Sequence, residues 1–220
     1  MDFFDLVNKR RSVRKFSDEK VPEEVIDKSL KAALLAANSS NLQPWEFYWV
    51  KDLDKKKELI KACFSQNAAK TAQELIVSVS RIDTWNRNRK LIIENYKERN
   101  KFLPIIDKYY SKVIPFSYFH DFFGFSGIIK KIISLFINIV GFFRPVARGP
   151  IFKSDLFEIV TKTTALACQN FMMAVVSQGY DSCPMEGFDE KRVKKILNLN
   201  SKTHVVMVLA VGKADPKGIY

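Results

Sequence analysis

The chain has 220 residues, of which 47% are apolar, with only 8 Gly and 8 Pro. That composition excludes a disordered or low-complexity protein and suffices for one domain with a sizeable core. Its formal charge of +12 favours anionic partners such as phosphates, nucleotides or an anionic bilayer, without choosing among them. Three cysteines without a CxxC and only two histidines argue against a disulfide framework and a His-rich metal site, so no metal is expected.

In chain order, Met1-Asp2-Phe3-Phe4-Asp5 lacks a basic region followed by an apolar run, so no signal peptide and a cytoplasmic location are expected. Asp2 to Asn8 predicts a short helix with Asp2 as N-cap. Arg10-Arg11-Ser12-Val13-Arg14 follows: three guanidinium groups and a hydroxyl within five residues. A guanidinium fork donates paired hydrogen bonds, which suits phosphate. Pro22-Glu23-Glu24 opens a second helix, in which Val25, Ile26, Leu30, Ala33, Leu34 and Ala37 keep helical spacing to about Asn38. Ser39-Ser40-Asn41-Leu42-Gln43-Pro44-Trp45 is a loop. Glu46–Val50 is a short strand, and Leu53–Ala72 a helix on which Asn67 and Lys70 share a face. Leu75–Ser80 reads as a buried strand from its β-branched content.

Residues 86–153 stand apart. From Lys101 to Lys153 there are eight Lys/Arg and two Asp, half the net excess in about a quarter of the chain. Ile128, Ile129, Ile132, Ile133, Phe136, Ile139, Val140 and Phe143 form an apolar helical stripe, opposite Lys130, Lys131, Ser134 and Asn138. Lys130 and Lys131 would lie inside a Phe122–Phe143 span, which argues against a transmembrane helix. The stripe can pack on the core, on a second subunit or on an anionic membrane surface.

Phe157–Gln178 predicts a long central helix ended by Gly179. Cys183-Pro184-Met185-Glu186-Gly187-Phe188-Asp189 reads as a Pro- and Gly-marked loop with free backbone N–H groups. Asp189 caps a helix to Leu197, and Val205–Val211 is a buried strand. This order predicts an α+β, mixed α/β sandwich: a central sheet flanked by helices. No GxGxxG turn for a dinucleotide pyrophosphate is present.

The Arg10–Arg14, Ser39–Trp45 and Cys183–Asp189 segments together resemble the nitroreductase family, which binds FMN between two subunits. The resemblance covers roughly Phe3 to Ile82 and Asp155 to Gly212. It implies a homodimer of single-domain chains, residues 1–220, with an inserted segment at about 86–153 that can serve as a lid over the flavin entrance. It implies an FMN-dependent oxidoreductase in which NAD(P)H reduces the flavin and an electron-poor acceptor, a nitroaromatic or quinone, reoxidises it. Arg10 and Ser12, with Arg11 beside them, would reach phosphate or ribityl, and Arg14 would sit near N1/O2. Asn67 and Lys70 would face the N3/O4 edge. Ser39, Ser40, Asn41 and Gln43 would come from the partner subunit. Pro184, Met185, Glu186 and Gly187 would cover one flavin face, with the Glu186 N–H directed at N5. Family members also carry C-terminal basic phosphate ligands, for which Lys213 and Lys217 are the candidates here. No side chain is assigned as the catalyst. Dehalogenation or metabolite dehydrogenation on the same fold is the alternative chemistry, and a basic membrane-surface protein the alternative class. No nucleic-acid module is recognisable.

Overall fold

The computed structural model describes residues 2–101, 103–121 and 124–218. The chain forms two compact units, one of residues up to Arg81 together with those from Thr161 onward, the other Ile82–Val160.

The first unit is built on a four-stranded antiparallel sheet. Its strands are β1 (Trp45–Trp49), β2 (Glu74–Arg81), β3 (Asp181–Met185) and β4 (Thr203–Gly212), in spatial order β1-β2-β4-β3. Central strands covered on both faces should be apolar at nearly every position; β4 is so from Val205 to Val211, and in β2 the buried Ser78 and Ser80 donate their hydroxyls to the Met207 and His204 carbonyls of β4. Their alternate residues part to two cores. Leu75, Val77, Val79, Val208 and Ala210 enter one, and Ile76, Leu209 and Val211 the other. The first core is closed by α3 (Leu53–Ala62), α4 (Asn67–Thr71) and α10 (Glu190–Ile196), through Leu59, Ala68, Ala69 and Val193. The second is closed by α2 (Glu23–Leu34) and α9 (Lys153–Ser177), through Ile26, Ala33, Cys168, Phe171 and Val175. Asp2 and Asp5 form a reciprocal cap on α1 (Phe3–Lys9), and Asp189 accepts from Arg192 N to cap α10. By length and composition α9 could cross a bilayer, but half of its most apolar stretch is buried inside the protein.

Three sequence expectations for this unit are corrected. Residues 183–185, read as loop, belong to edge strand β3, where an edge position accommodates Pro184's missing N–H. The helix expected over Leu53–Ala72 is two helices, broken at Phe64 and Ser65, which both adopt left-handed backbone (φ 55° and 51°). The second helix stops at Leu34, short of Asn38.

The second unit contains α5 (Trp85–Glu98), then α6 (Pro104–Lys108), a π-helical turn over Tyr109–Val113, α7 (Ile114–Tyr118) and α8 (Phe125–Val140). Trp85 packs on Tyr118 with ring centroids 6.2 Å apart, and the Arg89 guanidinium donates to the Tyr110 carbonyl. Asp121 accepts from the Phe125 and Ser126 N–H groups and so caps α8. The Ser126 hydroxyl first, then the Ser126 and Phe125 N–H groups, stabilise the charged form of Asp121 and hold its carboxyl well below the usual carboxylate range. The helix expected over Ile128–Phe143 begins earlier and ends at Val140. Lys130, on the face opposite the apolar stripe, is buried, while Ile128, Ile132 and Phe136 on the stripe are exposed.

Phe171 is fully buried at the centre of the α2–α9 core. Phe171→Ala should cost about 3–5 kcal/mol, read as a lowered urea midpoint with an unchanged m-value.

Candidate functional site

The site is assembled in the first unit around residues 10–17, which leave α1 in extended conformation. Val13 and Phe16 are buried in the sheet's first core and fix the segment in depth. On one side Ser12 pairs with Ser182 of β3, and the Val13 N–H donates to the Ser182 carbonyl at 3.1 Å. On the other side the C-terminal segment holds it. The Arg14 N–H donates to Gly218 O at 2.8 Å, the Asp215 N–H to Lys15 O, and the Ser17 N–H to Lys213 O. Lys15 Nζ lies 2.8 Å from Asp215 Oδ2.

This placement sorts the basic residues. Arg11 turns back along α1, donating to the carbonyls of Asn8 and Arg10, a helix C-terminal cap. Arg10 is half-buried at that helix end, and its guanidinium has no partner among the described residues. Arg14 is exposed, and its Nη1 donates to Cys183 Sγ at 3.4 Å. One contact to a weak acceptor leaves most of the fork's donors for a ligand. Burial raises the Cys183 thiol above its ordinary value, against the opposing charge of Arg14. Cys183 is therefore a neutral, buried residue, with its S–H directed at the Pro184 carbonyl.

Two further elements are tied to the same place. The Phe16 N–H donates to Thr71 Oγ1 at 2.9 Å, which fixes the end of α4. Gln66 Nε2 donates to Gly187 O at 2.7 Å, which links the start of α4 to the turn after β3. Ala68 and Ala69 face the core, and Asn67 and Lys70 are exposed. Met185 is buried in β3, Pro184 is half-buried, and Glu186 and Gly187 are exposed past the end of the ladder. The segments that carry Arg10, Ser12, Arg14, Asn67, Lys70 and Pro184–Gly187 are thus joined to one another by bonds between their elements.

Gln66 and Thr71, which make the connections, were not singled out from the sequence. They flank the Asn67–Lys70 pair, and a Thr or Gln at a helix end is a weak signal by itself.

The Ser39–Gln43 loop lies elsewhere. Ser40, Asn41 and Gln43 take left-handed backbone, φ 57°, 51° and 44°. Asn38 organises them, accepting from the Gln43 N–H at 2.8 Å and donating to the Ala36 carbonyl. Leu42 is fully buried, and Trp45 packs into the α2–α9 core. The loop leads into β1, at the opposite edge of the sheet from β3. Three strand spacings, about 14 Å, separate those edges.

Of the C-terminal lysines, Lys213 is half-buried, donates to the Gly179 carbonyl at the end of α9 and lies over the Tyr180 ring. Lys217 is exposed on the turn Pro216–Gly218. Gly218 is buried so tightly that an added Cβ would collide with the Lys15 backbone. Among the described residues no group of three His, Cys, Asp or Glu side chains could hold a metal.

A sequence profile of the nitroreductase family matches residues 7–115 and 139–213, passing over 116–138. MhqN of Bacillus subtilis (strain 168), provisionally named an NAD(P)H nitroreductase, is 27% identical over 213 residues, covering 96% of this chain and 88% of its own. Iodotyrosine deiodinase 1 of Sus scrofa is 50% identical over 58 residues, 26% of this chain and 20% of that protein. A protein from Exiguobacterium sibiricum, solved in complex with FMN, superposes with a TM-score of 0.71 at 22% identity, covering 100% of this chain and 91% of that one.

Gly218→Ala should displace the backbone that anchors Arg14. A loss of about 1–3 kcal/mol in unfolding free energy is expected, measured by chemical denaturation.

Proposed function

The chain belongs to the nitroreductase family, and on that premise we propose that it is a homodimeric FMN-dependent oxidoreductase, reduced by NAD(P)H and reoxidised by an electron-poor acceptor such as a nitroaromatic or quinone. One observation carries the reading: Arg14, the Asn67/Lys70 face of α4 and the Glu186–Gly187 turn are tied to one another through Phe16–Thr71, Gln66–Gly187 and Ser12–Ser182. The donor set fits FMN. Cations suit its phosphate and its electron-rich pyrimidine edge, an amide suits N3/O4, and exposed backbone N–H groups suit a ring nitrogen.

FMN, when bound, supplies the chemistry by accepting hydride and passing it on. The protein binds and orients it. Arg10 and Ser12 would hold the phosphate or ribityl chain. Arg14 would set a fixed cation beside the pyrimidine edge, where negative charge grows on reduction. Asn67 and Lys70 would take the opposite polar edge, and Pro184–Gly187 one ring face. The backbone pinning of Arg14 matters here, because a cation held in place needs no reorganisation as charge develops. Lys213, engaged with the end of α9, leaves Lys217 as the freer phosphate candidate. Arg11, engaged with the end of α1, is the least available of the three arginines.

The Ser39–Gln43 loop supports the dimer. It lies across the sheet from the rest of the candidate set, so one chain carries two half-sites, and a two-fold partner would bring unlike halves together. The short likeness to a deiodinase supports reductive dehalogenation as a second reading, which turnover of halogenated phenols beside nitroaromatics and quinones would separate from the first.

Purified protein should be yellow, and the flavin released on denaturation should co-migrate with FMN; FAD, or no flavin after reconstitution, would overturn the reading. Arg14→Ala should weaken FMN binding by about 1.5–3 kcal/mol and lower the flavin midpoint potential. Wild-type values for both would remove Arg14 from the site. Sedimentation equilibrium should give twice the monomer mass, and an active monomer retaining flavin would refute the shared site.

A further inference from the structure

Helix α8 is amphipathic in the reverse sense for a helix of a folded protein. The buried residues of α8 are Gly127 and Lys130, with Ile133 and Ile137 half-buried. Lys130 is 6% exposed. Its Nζ donates to the carbonyls of Ser117 and Phe119 at 2.8 and 2.9 Å, at the C-terminal end of α7. A cation there is favoured by the exposed carbonyls of the helix terminus. Phe125, Ile128, Ile129, Ile132, Leu135, Phe136 and Ile139 form one continuous stripe, each more than half exposed. Phe142 and Phe143, just beyond the helix, are both 86% exposed. Contiguous apolar surface of this extent marks an interaction face. The charge is turned inward and anchored, so the apolar face points outward by construction.

Charge selects the occupant. Between Asp121 and Asp155 the sequence carries five Lys/Arg and no Asp or Glu. With Lys130 directed inward, Lys131 is exposed on α8 itself, and Arg144, Arg148 and Lys153 are exposed after it. Arg148 is held alongside the helix by a 2.9 Å bond from its Nε to Asn138 Oδ1. Ile133, Phe136, Ile137 and Val140 line an open groove of about 580 Å³ with Arg144 at its edge. A second copy docked by two-fold symmetry on this face would set the basic rim against itself, at a repulsive cost. An anionic bilayer complements both properties, since an apolar helix face enters the acyl boundary while lysines and arginines meet the phosphates. Most of α8 also falls within residues 116–138, outside the family match, so the shared scaffold does not require it.

We infer that the outward face of α8, with Phe142 and Phe143, docks on the surface of an anionic phospholipid bilayer. The helix lies in the interface and does not span it. Sixteen residues reach about 24 Å, short of the hydrocarbon core, and the face opposite the stripe is packed on protein.

Full-length protein mixed with sucrose-loaded vesicles tests this. It should sediment with phosphatidylcholine vesicles containing phosphatidylglycerol, less so at high salt, and not with phosphatidylcholine alone. Ile132→Ser with Phe136→Ser should abolish sedimentation while helicity by circular dichroism stays unchanged. Lys131→Glu with Arg144→Glu should weaken it by at least about 25-fold, at about fivefold for each positive charge lost. The charge variant carries the test if the serine variant misfolds. Wild-type protein left in the supernatant with anionic vesicles at low salt would overturn the inference, as would sedimentation indifferent to both variants. So would dissociation of a dimer by the serine pair in a protein that ignores lipid, which would give the face to a second copy.

Discussion

The candidate site depends on one constraint, the holding of an extended segment, residues 12–16, between β3 and the C-terminal turn. Val13 and Phe16 set its depth, and backbone bonds to Ser182 and Gly218 set its register. An arginine on a free loop loses side-chain and backbone entropy each time it engages a ligand. Here the backbone share of that cost is met on folding, so Arg14 retains only side-chain freedom. The same segment orders α4, because the Phe16 N–H ends on Thr71. Removing the pinning would therefore disturb two groups of ligand donors together.

Much of this was legible in the sequence. β1, β2 and β4 announce themselves by their Val, Ile, Leu and aromatic content, and α2, α9 and α10 by period, caps and a closing glycine. β3 did not, because Asp181-Ser182-Cys183-Pro184-Met185 has no β-branched residue and contains a proline. It is a strand only because β4 offers its edge. The break after α3 was hidden for a related reason: Phe64 and Ser65 hold left-handed backbone where glycine or asparagine would have signalled it. The facing of α8 was not readable, since periodicity reports that two faces differ and not which one turns inward. The carbonyls of Ser117 and Phe119 settle that by capturing Lys130.

The residue types of the candidate site were readable, but their connectivity was not. Asn67, Lys70 and Arg14 stood out by chemistry, whereas Gln66 and Thr71 bring their elements together by single hydrogen bonds between distant positions. Strand order likewise has no local signature. That Ser39–Gln43 and Pro184–Gly187 lie at opposite edges follows from the arrangement β1-β2-β4-β3, which local pattern alone does not contain.

Pro184 has a bearing on colloidal behaviour. β3 is an outer strand, and outside its ladder to β4 it makes, among the described residues, one strand-like pairing, the Ser12–Ser182 bridge. An outer strand with a full row of donors is a template onto which another chain can add and propagate. A proline in the middle of β3 interrupts that row, and the exposed glutamate that follows Met185 adds charge at its end. The residue placed beside the candidate ligand site thus also guards the sheet against growing outward into an assembly without end.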